Sequence, residues 1–121
     1  MTRILYIDDE DDIREIAELS LEMDPKFEVR LCASGQEALA VAPHWKPALI
    51  LLDVMMPQMD GPATLTALRE HEELRSTPVV FITARIQAAE REALLGHGAI
   101  GLIGKPFDPM TLAATVRDYL P

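Results

Sequence analysis

Along the chain, short apolar runs alternate with segments whose apolar residues recur at helical spacing. Ile4–Ile7 is a β-prone run closed by acids and predicts a buried strand. Asp12–Met23 sets Ile13, Ile16, Ala17 and Leu19 at helical spacing. Phe27–Cys32 alternates, with Phe27, Val29 and Leu31 on one face, and predicts a strand at a sheet edge. Ser34-Gly35-Gln36-Glu37 has the form of a capping box and opens a helix over Gln36–Val41, with Pro43 and Pro47 expected to stop it. Ala48–Leu52 is wholly apolar, as a central strand is. Pro62 suits the first turn of a helix running to Glu72. Pro78–Ile82 predicts a fourth strand, with the proline tolerable at its start. Gln87–Leu95 predicts a fourth helix ended by Gly96 and Gly98, and Ala99–Ile103 a fifth strand. Asp108-Pro109 predicts the N-cap and first-turn proline of a last helix to Leu120.

Strands alternating with helices imply a parallel sheet covered on both faces, joined by right-handed crossovers. The expected fold is α/β: a doubly wound five-stranded parallel sheet, (βα)5 and flavodoxin-like, in the order 2-1-3-4-5. No repeat, linker or low-complexity tract interrupts it. Residues 1–121 are therefore expected to form one domain, with no effector domain attached.

Composition narrows the function classes. A hydrophobic fraction of 49% supports a core without disulfides or metal, and aromatics at 5% make that core aliphatic. A net charge of −9 argues against this domain gripping nucleic acid or an anionic membrane by itself. The single cysteine, Cys32, reads as a small core residue and fits a reducing compartment. The N-terminus enters a strand without a signal-peptide pattern, and no apolar run approaches the ~20 residues of a membrane span. A cytoplasmic location is expected.

In a doubly wound sheet, ligands bind beyond the carboxyl ends of the strands. Here those ends carry Asp8-Asp9-Glu10, Asp53, Thr83 and Lys105-Pro106. Several carboxylates in one cleft raise one another's pKa, a conflict that a hard divalent cation relieves. Lys105 adds a mobile positive charge and Thr83 a hydroxyl. Asp53 stands without an acidic sequence neighbour, placed to attack phosphorus and form an acyl phosphate.

At these positions the chain resembles the receiver domain of bacterial two-component response regulators. The likeness is carried by Ile4-Leu5-Tyr6-Ile7-Asp8-Asp9-Glu10, Leu51-Leu52-Asp53-Val54-Met55-Met56-Pro57, Asp60-Gly61, Phe81-Ile82-Thr83-Ala84 and Gly104-Lys105-Pro106-Phe107. The resemblance implies a phosphorylation-activated switch whose phosphoacceptor is Asp53. It implies Mg²⁺ (or Mn²⁺) held by Asp9, Asp53 and the Met55 carbonyl, with Asp8 acting mainly through metal-bound water. It also implies that Lys105 contacts the phosphoryl group, that Pro106 follows a cis bond, and that Thr83 is the switch hydroxyl. The implied donor is a phosphohistidine on a sensor histidine kinase or a histidine phosphotransfer protein, and the output partner is unspecified. The implied readout face is the fourth helix, fifth strand and fifth helix, which the resemblance also implies as the contact of a weak homodimer. Such a protein is not an enzyme in the ordinary sense, since it catalyses only its own phosphorylation and dephosphorylation.

One departure from the family pattern stands out. Where receivers often carry a switch aromatic, three residues before the lysine, this chain has Leu102. Output is then expected to run through the loop and helix around Ala84–Ala89, and Arg85 is expected to border the phosphoryl site beside Met55.

The same residues admit competing readings. Asp8 and Asp9 taken alone are helix-capping acids. A small Mg²⁺-dependent phosphatase would place an acid two residues after its nucleophile, where Met55 stands. A flavin carrier would need a Ser/Thr/Gly-rich phosphate loop where the acids lie. A receiver-like scaffold without phosphorylation would not need the full residue set. His44, His71 and His97 show no metal-ligand spacing. Trp45 reads first as a hydrophobic plug and second as a partner anchor. Met55, Met56 and Met59 serve equally as gap filling or as a soft contact surface.

Overall fold

The computed structural model describes residues 1–84 and 87–121. Its strands are β1 (Thr2–Ile7), β2 (Phe27–Cys32), β3 (Leu49–Asp53), β4 (Val79–Thr83) and β5 (Gly101–Gly104). Its helices are α1 (Asp11–Leu21), α2 (Gly35–Trp45), α3 (Gly61–Leu68), α4 (Ala88–Gly96) and α5 (Leu112–Tyr119). The strands form one parallel sheet in the order β2-β1-β3-β4-β5, as the alternation predicts.

Strand alternation divides the core in two. Leu5, Ile7, Ile50, Leu52, Val79 and Phe81 face one side, against Ala38 and Ala42 of α2, Leu65 and Leu68 of α3 and Leu94 of α4. Ile4, Tyr6, Leu49, Leu51, Val80 and Ile82 face the other, against Ala17 and Leu21 of α1 and Leu112 and Val116 of α5. The central strand β3 is buried at every position, whereas in the edge strand β2 Glu28 and Arg30 are exposed and Val29 and Leu31 only half-buried. Cys32 is buried in the core, and burial pushes its thiol up to about 12. Among the described residues, no helix is long and apolar enough to cross a membrane.

Three element boundaries, in α2, α3 and α5, differ most from the sequence expectation. Pro43 does not stop α2 but lies inside it, buried, and the helix runs on to Trp45. So near the helix end the proline forfeits one backbone hydrogen bond, and its ring packs in the interior. The chain turns instead at Lys46, whose φ of 54° is left-handed and whose N–H donates to the Ala42 carbonyl. Pro47 follows the true end.

The third helix stops at Leu68 rather than Glu72, and Glu72–Leu74 is a separate 3-10 turn. The Arg69 guanidinium explains the break: one nitrogen donates to the carbonyls of Leu74 and Thr77, each at 2.6 Å, and folds the segment back. Asp108-Pro109 opens a turn, not the last helix. The Asp108 side chain accepts from the Met110 N–H and its carbonyl from those of Thr111 and Leu112, so α5 starts only at Leu112. An Asx turn competes locally with a helix cap, and here it wins.

The capping box at Ser34 forms with a displaced second half. Ser34 Oγ accepts from the Glu37 N–H at 3.0 Å, while the Glu37 carboxylate reaches the N–H of Ala33 rather than that of Ser34.

Candidate functional site

Parallel strands bring the ends of β1, β3, β4 and β5 to one rim of the sheet. Asp53 is the last residue of β3, is buried, and pairs in register with Ile82 of β4. Asp8 directly follows β1 and is fully buried. Lys105 follows β5, held by its N–H donating to the Thr83 carbonyl at 2.9 Å.

The Lys105 ammonium is the centre of the cluster. Its Nζ lies 2.8 Å from Glu10 Oε1, 3.0 Å from Asp8 Oδ2 and 3.4 Å from Asp53 Oδ2. Oxygens of Asp8, Glu10 and Asp53 all lie within 4.8 Å of one another. Asp8 is tied on every side. Its Oδ1 accepts from the Glu10 N–H, its Oδ2 from the Tyr6 hydroxyl, and its carbonyl from Arg14 Nη1. A cavity of about 320 Å³ opens over this cluster, lined by Glu10, Asp53, Met55, Ala84, Lys105 and Pro106. The Lys105-Pro106 bond is cis.

The end of β3 is also shaped from below by α3. Asp60 caps that helix, its Oδ1 accepting from the Ala63 N–H at 2.9 Å. A Cβ on Gly61 would stand 2.7 Å from the Asp53 carbonyl oxygen and 2.9 Å from Val54 Cα. Only glycine lets α3 start this close to the strand that carries Asp53.

The electrostatics follow from burial and crowding. Burial first, and the Asp8 charge second, raise the Asp53 carboxyl to about 6 against the pull of Lys105. For Lys105, burial works against the ammonium, but hydrogen bonds to Glu10 and Asp8 outweigh it and hold its pKa above the ordinary lysine value. Burial, then the Asp8 charge, keeps the Tyr6 phenol protonated far above its usual range.

One ammonium against three carboxylates leaves the pocket net negative, and the donors are all hard oxygens. That set suits Mg²⁺ or Mn²⁺, which prefer carboxylate, carbonyl and water ligands.

Asp8, Asp53 and Lys105 thus meet, as their strand-end positions predict. Asp9 is exposed and stands outside the close carboxylate group, though its charge contributes to the rise at Asp53. Thr83 is buried at the end of β4 and lines an adjoining cavity of about 320 Å³ with Val54, Met55, Glu90, Ala93 and Leu94. Met55 borders both cavities and is exposed. Leu102 is buried in β5, with its carbonyl accepting from the Tyr119 hydroxyl at 3.4 Å. Arg85, expected at the phosphoryl site, lies outside the described residues with Ile86.

Three participants carry no role in the sequence reading: Glu10, Tyr6 and Arg14. Glu10 had a signal as the third acid after the first strand. Tyr6 had one too, since a phenol in an otherwise aliphatic strand needs a polar partner. Arg14 had none beyond its place one turn into α1.

The comparisons with known proteins converge on one family. A profile described as "Response regulator receiver domain" matches residues 4–117. The chain is 42% identical over 117 residues to response regulator Rre1 of Synechocystis, covering 97% of this chain and 51% of that protein. It is 39% identical over 117 residues to transcriptional regulatory protein SrrA of Staphylococcus aureus, covering 97% and 47%. The chain therefore spans about half the length of these curated relatives. Among solved structures, chemotaxis protein CheY4 of Vibrio cholerae superposes with a TM-score of 0.91 at 33% identity over 99% of both chains. The signal receiver domain of a signal transduction histidine kinase from Syntrophus aciditrophicus does so with 0.83 at 30% identity, over 98% of this chain and 89% of that one.

The chain belongs to the receiver-domain family of response regulators. Its class is the phosphorylation-activated switch of two-component signalling, and nothing in the comparisons favours the phosphatase or scaffold readings.

Proposed function

We propose that residues 1–121 act as one receiver domain in which Asp53 takes a phosphoryl group from a phosphohistidine on a sensor histidine kinase or a histidine phosphotransfer protein. An Asp53 carboxylate oxygen attacks phosphorus, the P–N bond breaks, and its electron pair stays on the imidazole nitrogen. The product is an acyl phosphate on the protein, so the chemistry is confined to the chain's own phosphorylation and its reversal. Asp9, Asp53 and the Met55 carbonyl, with Asp8 beside them, would hold Mg²⁺ (or Mn²⁺), which would supply positive charge against the transferring group. Lys105 exchanges its carboxylate partners for a phosphoryl oxygen, and the Thr83 hydroxyl moves toward another. Transmission through Thr83, Ala84, Leu102 and Pro106 then changes the face formed by α4, β5 and α5, where an output partner or a second copy binds. A histidine kinase donor and a lone buried cysteine agree with a cytoplasmic setting.

The observation that supports this reading best is the Lys105 ammonium 3.4 Å from the Asp53 carboxylate, with Asp8 at 3.0 Å on the same nitrogen. Carboxylates from two strand ends share one cation carried by a third, beside an open cavity.

Incubation with Mg²⁺ and acetyl phosphate, followed by intact mass measurement, tests it. One phosphoryl group should add to the native chain and none to Asp53→Asn. Label persisting in that variant, or absent from the native chain, would overturn the assignment.

A further inference from the structure

We infer that Tyr6 is a positioning residue of the acid pocket: its buried hydroxyl fixes the direction of the Asp8 carboxylate, and Phe107 fixes its ring. The inference rests on the proposed function, because it concerns how that site holds its metal-binding carboxylates.

Tyr6 is fully buried in β1 among Ile4, Leu49, Leu51, Val80 and Ile82. Nothing in that aliphatic surrounding calls for a hydroxyl, and a buried hydroxyl without a partner is costly. The partner is Asp8 Oδ2, at 3.0 Å. The same oxygen accepts from Lys105 Nζ, also at 3.0 Å. The two donors differ in kind. Lys105 sits on a flexible stem and must leave Asp8 to meet a phosphoryl oxygen. Tyr6 has a rigid ring locked in the core. When the ammonium departs, the phenol is the donor that stays on Oδ2, while the Glu10 N–H stays on Oδ1. Asp8 therefore keeps its orientation through the change that would otherwise release it.

The ring is itself held. Phe107, two residues beyond Lys105, meets Tyr6 edge-on, with centroids 6.4 Å apart and planes at 73°. The loop that carries the mobile lysine thus also braces the residue that substitutes for it.

Outer partners of metal-binding carboxylates commonly contribute about 10–100-fold to metal affinity. Tyr6→Phe keeps the ring and removes only the hydroxyl. By calorimetric Mg²⁺ titration of the full chain, the variant should bind about tenfold more weakly than the native protein, with an unchanged far-UV circular dichroism spectrum. A second measurement does not depend on the variant's folding. In native protein labelled with 3-fluorotyrosine, the Tyr6 fluorine resonance should shift on Mg²⁺ addition and that of Tyr119 should stay. Variant affinity within about twofold of native, or a Tyr6 resonance unmoved while the native protein binds Mg²⁺, would each overturn the inference. Native protein that takes up no Mg²⁺ would instead sink the metal site itself, and this inference with it.

Discussion

The Asp53 carboxyl is a single group on which two demands collide. It must be ionised to attack phosphorus, yet it lies buried beside Asp8. Its pKa, raised to about 6, sets the sign of a stability effect. A carboxyl whose folded pKa exceeds its unfolded value binds its proton more tightly when folded. The stability it contributes is present below the unfolded carboxylate range, near 4, and is lost as pH rises through about 6. In metal-free protein near neutral pH, Asp53→Asn should therefore be more stable than native by roughly 1–3 kcal/mol. The gap should close as pH falls toward about 4. Thermal melts across that range check it. A native protein as stable as the variant at neutral pH would mean that Lys105 alone neutralises the site.

At the scale of elements, the approach of α3 to β3 sets where Asp53 can stand. Asp60 begins the helix by capping it, and Gly61 lets it begin against the backbone of Asp53 and Val54. The Gly61 N–H also donates to the Val54 carbonyl at 2.9 Å. A methyl group there would meet the backbone of Asp53 and Val54 and the buried ring of Phe81, none of which is the free end of a flexible side chain. Gly61→Ala should destabilise the fold by about 1–3 kcal/mol, as overpacking does. It should also slow labelling of Asp53 by acetyl phosphate, because the strand end that carries the acceptor is what must shift. Chemical denaturation and time-resolved mass measurement give the two readouts. Unaltered stability would show that the helix start can slide without cost.

At the scale of the whole molecule, charge and fold oppose each other. The chain carries a net charge of −9, and the fold gathers Asp8, Glu10 and Asp53 around a single ammonium. The unfolded chain disperses these acids, so a divalent cation binds the folded state preferentially. By mass action, Mg²⁺ at about 100 times its dissociation constant should add about 2.7 kcal/mol to stability. The melting temperature should rise with Mg²⁺ beyond the effect of NaCl at matched ionic strength, and less so in Asp53→Asn. Equal shifts for both salts would reduce the effect to screening of a surface charge.

The sequence by itself determined the alternation of strands and helices, the parallel order of the sheet and the residues at the strand ends. These are local properties: burial on both faces makes a strand wholly apolar, helices repeat at their own period, and a parallel sheet puts every strand end on one rim. The strand-end positions thereby single out Asp8, Asp53 and Lys105. Tertiary structure decided what those side chains touch. Glu10 became the nearest partner of Lys105, Tyr6 the donor to Asp8, and Arg14 the clamp on the Asp8 carbonyl. It also carried α2 past Pro43 and delayed α5 to Leu112. The reason is common to all of these: a side chain's partner and a proline's tolerance depend on directions across packed elements, and one-dimensional spacing does not contain them.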